Sequence, residues 1–371
     1  MERPDTARTG PSPFMVDGHN SGYGVNAWHR FRWTVVLLFG AIEGSCVSRS
    51  VSKAELMDEA ARRGVFVRLQ TNWLEYVRLN GDSLLTGNSD WIPNPRGLSS
   101  AFFSSTGAFV AWVNNWFTGR ACATITVERV DGTDRRRVPG TVQYVRALGI
   151  SADGTQLALQ GRYDLAKPVP GGDGAGKQGK DGLFYFNVPS GAVTLLSQEA
   201  QPLHGPGSIG WAPAGDAFAY ESAGEVYVCD VKTRAFRRIG SGKNPTWSPD
   251  GKWIAFKSGR GEAVFVNTAT WRAEPLLAHY QILCEVHWLP DSKWVMVARK
   301  LSSLSNIFHG RGFLMGPSAV MLIVRLQDGA EAPLHYFDFK GGWDCGFYWV
   351  KDYHALTGQA PLPRTGECEA Y

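Results

Sequence analysis

The stretch Trp247-Ser248-Pro249-Asp250-Gly251-Lys252-Trp253-Ile254-Ala255-Phe256 constrains this chain more than any other. Pro249 presets φ at the first turn position, the Asp250 carboxylate can bond nearby backbone, and Gly251 takes positive φ without steric cost. Trp253 to Phe256 is apolar on both faces, as a strand between two packed sheets is. Related stretches begin at Phe103, Ile150, Trp211 and Trp288, with a weaker one at Trp349. Including Trp247, successive starts are 47, 61, 36, 41 and 61 residues apart. The chain is therefore a repeat of one hairpin-centred unit.

Periods near ~40 residues, each holding four short strands, mark propeller blades. The Trp-Ser-Pro-Asp-Gly signature precedes an apolar strand, a short turn and a strand ending near Asn or Asp. In this it resembles the WD40-like repeat of TolB-type β-propellers, over roughly residues 66–357. The resemblance implies an all-β, six-bladed β-propeller with four-stranded blades, matching the six copies. It implies no single activity, because such propellers serve as binding platforms and as accessory domains of hydrolases.

Residues 1–50 read as a leader. Its first 28 residues are rich in Gly, Pro, Ser, Asp and Asn without periodicity, which predicts disorder. Arg30-Phe31-Arg32 precedes the apolar run Trp33 to Ile42, which is too short to cross a bilayer as a helix, so no membrane span is expected. The basic flank, the apolar core and Gly44-Ser45 look like a secretory signal whose true start lies near Met15 or later. Export to the periplasm or extracellular space is the expectation, with a cytoplasmic location as the alternative. Glu43 occupies the place where a lipoprotein signal wants an apolar residue before Cys46, which argues against lipidation.

Ser52-Lys53-Ala54-Glu55 is a capping box, and Arg62, Arg63 and Gly64 suit a helix end, predicting a short helix within 51–64. Val65–Gln70 and Leu74–Leu79 then read as strands, with Asn80-Gly81 as a hairpin turn. They need partners, and the Trp349 copy lacks outer strands. The N- and C-terminal strands are thus expected to share the closing blade of a propeller over 65–357, with a tail at 358–371. The other blades should begin near 99, 146, 207, 244 and 284. Two insertions lengthen the period. Tyr163–Asp181 is Gly-, Lys- and Asp-rich and reads as a surface loop. Leu301–Ser318 is more apolar and is expected to cover a face or edge, or to dock a partner.

The formal charge is only +4 over 371 residues, without a concentrated basic stripe, so nucleic acid is not an expected partner. Arg135-Arg136-Arg137 and Arg237-Arg238 fall where outer blade strands should lie and read as edge protection. Gly171 to Gln178 imitates a phosphate loop, but Gln178 stands where Ser or Thr should hold Mg²⁺, and the surrounding glycines oppose a helix. Gly-x-Ser-x-Gly is absent, and no room is expected for a hydrolase domain. Paired His at metal-ligand spacing is absent as well, so neither cofactor nor metal is expected. The enzyme alternative is a metal-assisted glycan lyase or hydrolase. In similar propeller lyases acting on uronate oligosaccharides, His residues hold a metal. His204, His279 and His287 would be the candidates here.

Six cysteines are present. Cys284 and Cys345 each precede a repeat Trp by four residues. In an exported chain a bridge between them, or from Cys345 to Cys368, is conceivable if the Cα separation allows it. Cys122 and Cys229 fall in mid-blade strands and read as buried thiols.

In a propeller, ligands meet the mouth of the central channel, lined by loops leading into each inner strand. Those loops offer Trp91, Arg96, Tyr144, Arg146, His204, Lys243, Tyr280, Glu285, Asp338, Trp343 and Asp344. Aromatic groups beside both signs of charge suit recognition of a polar partner. The expectation is a monomeric, non-catalytic binding platform for a protein or a glycan, centred on Trp91, Arg146, Tyr280 and Trp343.

Overall fold

The computed structural model describes residues 65–70, 73–77, 90–93, 100–114, 124–164, 179–198, 208–277, 280–301, 319–337 and 347–350. Among them there are strands and turns and no helix. The predicted helix within 51–64 and the apolar run 33–42 lie outside the described residues, as do the leader and the tail.

All sheets are antiparallel. The first strands are β1 (Val65–Gln70), β2 (Trp73–Val77) and β3 (Asp90–Pro93). β2 ends at Val77, two residues short of the predicted Leu79, and its register with β1 runs through Gln70↔Trp73. The next sheet is β4 (Ser100–Phe103), β5 (Phe109–Asn114), β6 (Thr124–Arg129) and β7 (Arg136–Arg137). Then come β8 (Thr141–Ile150), β9 (Gln156–Asp164), β10 (Lys180–Asn187) and β11 (Ala192–Ser197). A seven-stranded sheet follows, with β12 (Gly210–Trp211), β13 (Ala217–Ser222), β14 (Glu225–Asp230), β15 (Phe236–Trp247), β16 (Trp253–Ser258), β17 (Ala263–Asn267) and β18 (Arg272–Glu274). Next are β19 (His287–Trp288), β20 (Trp294–Lys300), β21 (Ala319–Arg325) and β22 (Glu331–Phe337). The last strand, β23 (Phe347–Val350), pairs with β1 from Val65↔Val350 to Arg68↔Phe347.

The seven-stranded sheet divides at β15. Phe236–Ser241 pairs with β14, and Gly242–Trp247 pairs with β16. One strand thus ends one four-stranded unit and begins the next. The leading strands of successive units touch in a cycle: β4 with β8, β8 with β12, β12 with β15, β15 with β19, β19 with β23, and β23 with β4.

Apolar seams fill the spaces between units. Ala111, Val113, Ile125 and Val127 pack against Leu148, Leu157, Leu159 and Phe186. Ala147, Ala158 and Leu183 meet Trp211, Phe218 and Tyr220. Ala212, Ala219 and Val228 meet Trp247 and Ile254, and Ala255 and Phe265 meet Trp288, Val295 and Leu322. The repeat tryptophans 211, 247 and 288 are therefore wedges between neighbouring units. Arg136-Arg137 forms the edge strand β7, and Arg237-Arg238 lies in the outer half of β15, where charge discourages pairing with another chain.

Five of the leading strands, all but β23, are joined to their second strands by a five-residue connector: 104–108, 151–155, 212–216, 248–252 and 289–293. Gly107, Gly154, Gly215 and Gly251 take φ of 64, 72, 73 and 75°, and Ser292 takes 59° in the fifth. In each, the N–H at that position donates to the carbonyl three residues back, as from Gly251 to Ser248. Ser248 is fully buried. Its hydroxyl donates to Asp250 Oδ1 at 2.7 Å and accepts from the Trp253 N–H at 2.9 Å. Ser151 does the same with Asp153 and Gln156. Adjacent turns are also stitched together: Thr106 donates to the Ala152 carbonyl, and Ser292 Oγ accepts from the Asp250 N–H.

Gly154 shows why the repeat demands glycine. Its φ is positive, and a Cβ there would lie 2.3 Å from Phe109 of the preceding unit. Gly154→Ala should lower stability by about 2 kcal/mol, from backbone strain and from displacement of Phe109. Chemical denaturation of the full chain reads this directly.

Candidate functional site

The two ends of the sheets differ. At the turn end, besides the five uniform turns, the third-to-fourth strand connectors hold four to six residues in five units and 12 (78–89) in the unit of β23, β1, β2 and β3. At the other end the second-to-third connectors range from two residues (223–224) to 18 (301–318). Connectors between units there run from none, at β15, to 12, at 198–209 and 275–286. Both predicted insertions fall at this variable end, between β9 and β10 and between β20 and β21.

Of the residues anticipated from the sequence, Tyr144, Arg146, Lys243, Tyr280 and Glu285 belong to strands or connectors of this end. Trp91 lies in β3, the outermost strand of its sheet rather than a leading one, and Arg96 in the connector to β4. The side chain of Trp91 lies outside the described residues, as do Arg96, His204, Asp338, Trp343 and Asp344. Tyr144 and Arg146 lie in β8, Lys243 in β15, and Tyr280 and Glu285 in the connector 275–286.

β8 begins at Thr141, earlier than the predicted position near 146. Two register shifts against β9, at Val142/Tyr144 and Val145/Ala147, keep this longer strand paired. Such bulges re-aim side chains. Tyr144 is exposed, and its hydroxyl donates to Asp181 Oδ1 at 2.8 Å. Arg162 grips the same carboxylate through Nη2 at 2.5 Å and Nε at 3.1 Å. The hydrogen bond from Arg162, above all, holds Asp181 below the usual carboxylate range.

Arg146 is buried. Its Nη2 meets Glu221 Oε2 at 2.8 Å on the next unit, and Gln160 Nε2 donates to the Glu221 carbonyl. Arg146 therefore shapes the wall between two units, and its partner Glu221 carries the opposite charge at the same depth. Breaking such a pair costs more than a surface pair contributes.

Tyr280 is packed in the same manner. Its hydroxyl donates to Glu331 Oε2 at 2.5 Å, Arg299 binds both oxygens of Glu331 at 3.0 and 2.8 Å, and the guanidinium lies over the Tyr280 ring. Burial, reinforced by Glu331, pushes the Tyr280 hydroxyl well above its ordinary range. This knot fastens connector 275–286 to its own sheet.

Glu285 is the most perturbed carboxyl among the described residues, pushed up to about 7 by burial against a smaller opposing hydrogen bond from Ser208. Its Oε1 lies 3.8 Å from Nε2 of His287. Around it, Thr246 Oγ1 donates to the Val286 carbonyl and Lys257 Nζ to that of Leu283. Among the described residues no group of three His, Cys, Asp or Glu gathers as a metal site. His204 and His279, which the lyase alternative needs beside His287, lie outside the described residues. Cys284 is disulfide-bonded, whereas Cys229 is a buried free thiol pushed up to about 12 by burial.

Sequence reading missed Gln160, in the middle of the second strand β9, and Glu221, Lys257 and Arg299, each next to last in its second strand. A signal existed: the tenth residue after the repeat starts Ile150, Trp211 and Trp247 is Gln160, Glu221 and Lys257, the first polar side chain after the apolar run.

No family model matches the chain. A curated relative, an uncharacterized protein of Agrobacterium fabrum, is 27% identical over 120 residues, 30% of this chain. The match spans about a third of that relative, 35% of its length. Among solved structures, TolB from Acinetobacter baumannii is similar with a TM-score of 0.45 and 15% identity, over 74% of this chain and 69% of that one. A chain of a nidogen/laminin complex gives 0.46 and 11%, over 73% and 93%. The tricorn protease gives 0.45 and 8%, over 73% and 30%.

Glu285 makes stability pH-dependent. The folded protein keeps the proton up to about 7, against 4.5 for an ordinary glutamate, so between these values the fold holds more protons than the unfolded chain. The contribution of Glu285 to stability is therefore lost as pH rises through this window, by about 3 kcal/mol in all. Glu285→Gln should leave stability near pH 4 unchanged and raise it above pH 7 by a similar amount. Denaturation curves at the two pH values check both halves.

Proposed function

We propose that the chain is a six-bladed β-propeller, closed by pairing of its first and last strands, that acts as a non-catalytic binding platform. The observation that carries this reading is the asymmetry of its ends. Five connectors of equal length, each closed by its own backbone hydrogen bond and three of them by a buried serine as well, give the turn end a repeated structure. The other end varies more widely in connector length and holds the ion pairs Arg146–Glu221, Arg162–Asp181 and Arg299–Glu331. Variable loops on a rigid scaffold are where recognition is usually carried. The cycle of touching leading strands supports closure, and the pairing of β1 with β23 supplies its seam.

The partner is a protein or a glycan, met by the mouth residues Trp91, Arg96, Tyr144, His204, Lys243, Asp338, Trp343 and Asp344. Arg146, Tyr280 and Glu285 shape the wall behind them. The protein works as a monomer in an oxidising compartment, periplasmic or extracellular. The disulfide at Cys284 supports that location, since such bonds persist where thiols are not kept reduced. No helix among the described residues is long and apolar enough to cross a membrane.

The test is affinity capture from the native host with the full chain, run beside two variants. One carries Trp91→Ala, Tyr144→Ala and Trp343→Ala among the mouth residues. The other carries Thr233→Ala and Thr270→Ala at the turn end. The expected result is a stoichiometric partner held by the wild type and the turn-end variant and lost from the first. Retention by all three, or a stoichiometric divalent ion with no partner, overturns the platform reading.

A further inference from the structure

The cations of the variable end fall into two groups. Arg146, Arg162 and Arg299 are each neutralised by a carboxylate: Glu221, Asp181 and Glu331. Lys180, Lys243, Lys257, Arg260 and Lys300 are not, and of these Lys243, Lys257 and Arg260 gather at the end of one unit. Lys243 and Lys257 face each other across β15 and β16 as a direct register pair. Arg260 lies three residues beyond Lys257, in the connector to β17. Lys257 donates to the Leu283 carbonyl at 2.6 Å, which occupies one of its three donors. Among the described residues no carboxylate forms an ion pair with any of the three.

Like charges directly opposite on paired strands repel. Here the pair is retained where one member is half-buried: burial, and then the neighbouring Lys243 charge, lower the basicity of Lys257. The local backbone is also arranged to present these groups. The register between β15 and β16 skips from Lys243 to Thr246, and Asn244 within the skip takes a φ of 55°. A bulge and a non-glycine residue in the left-handed region are features that concentrate where side chains are aimed for function.

Resting on the binding-platform reading, we propose that Lys243, Lys257 and Arg260 form an anion subsite that receives the carboxylates of an extended acidic segment of a protein partner. Three separate point charges along one sheet end suit successive carboxylates on a peptide. The Asn244 side-chain amide beside them offers a donor and an acceptor for peptide backbone. A sugar chain generally wants an aromatic face as well. Among the described residues the only aromatic side chain exposed at this end is Tyr144, on a different sheet.

The experiment uses the full chain and fluorescein-labelled hexaglutamate, read by fluorescence anisotropy at low and moderate salt. Lys243→Gln with Arg260→Gln removes two charges that hold no other group in place, so folding is not at stake. Lys232→Gln with Arg272→Gln removes two exposed charges at the turn end and serves as the matched control. Binding should be salt-sensitive and weaken about tenfold in the first variant while the control stays at wild-type affinity, as two charge-assisted contacts of about 0.7 kcal/mol each imply. Equal weakening in both variants would mean attraction by net charge alone and overturns the subsite. Stronger binding of labelled hexagalacturonate, lost in the same variant, overturns the peptide assignment in favour of an acidic glycan. Displacement of hexaglutamate by inorganic phosphate at equal charge concentration overturns it in favour of a small-anion site. If hexaglutamate does not bind while capture still depends on Trp91, Tyr144 and Trp343, the subsite fails and the platform stands.

Discussion

The second strands β5, β9, β13, β16 and β20 bury apolar side chains on both faces, and the rest of the structure follows from that. In β13, Phe218 turns toward one neighbouring unit and Ala219 toward the other; in β16 the same division falls between Ala255 and Ile254. A sheet built this way cannot face water on either side. Fully burying a large apolar side chain contributes about 1.5–3 kcal/mol, so each seam is worth several such terms and no unit is stable alone. An open row of units would leave two apolar faces bare. A cycle leaves none, and the contacts of β23 with β19 on one side and β4 on the other are those a cycle needs.

Much of this was legible in the sequence, because the repeat is written in residues whose roles are local. A Gly, or once a Ser, at the left-handed position and a buried Ser two residues before an Asp define the turn wherever they occur. The boundaries of β1 could be read to the residue. The long β8 could not: the alternation of Thr141 to Tyr144 breaks at Val145, and the bulged pairing with β9 is what joins the two parts into one strand. The ion pairs of the candidate site were less legible still. Arg162 and Asp181 stand 19 residues apart, and Tyr144 and Asp181 stand 37 apart, with an insertion between. Nothing local announces such a meeting. The register of β8, β9 and β10 decides it. Glu221 was the exception in principle, since its place after the apolar run repeats from unit to unit.

The variable end thus combines two kinds of electrostatics. Its Arg146, Arg162 and Arg299 are spent on carboxylates and serve as mortar between units, strands and connectors, whereas Arg260 carries no ion pair among the described residues. Its lysines on β15 and β16 are left to solvent, and the one nearest the interior is held by a single carbonyl. Glu285 lies between these regimes, a carboxyl whose burial outweighs the single hydroxyl that would favour its charge. A surface built this way has a fixed relief, because the paired groups cannot move without exposing an unpaired charge, while its unpaired cations remain free to exchange water for another anion.

β15 gives the assembly one further property. Everywhere else, consecutive units are separated by connector residues that can lengthen, kink or swing. Between the units flanking β15 there is none: the strand that finishes one is the strand that starts the next. A tug on its outer end at Phe236 is transmitted through unbroken backbone to Trp247 at the innermost position. Under mechanical load these two units should yield together as a single block, and a protease that nicks between other units finds no cleavable loop here.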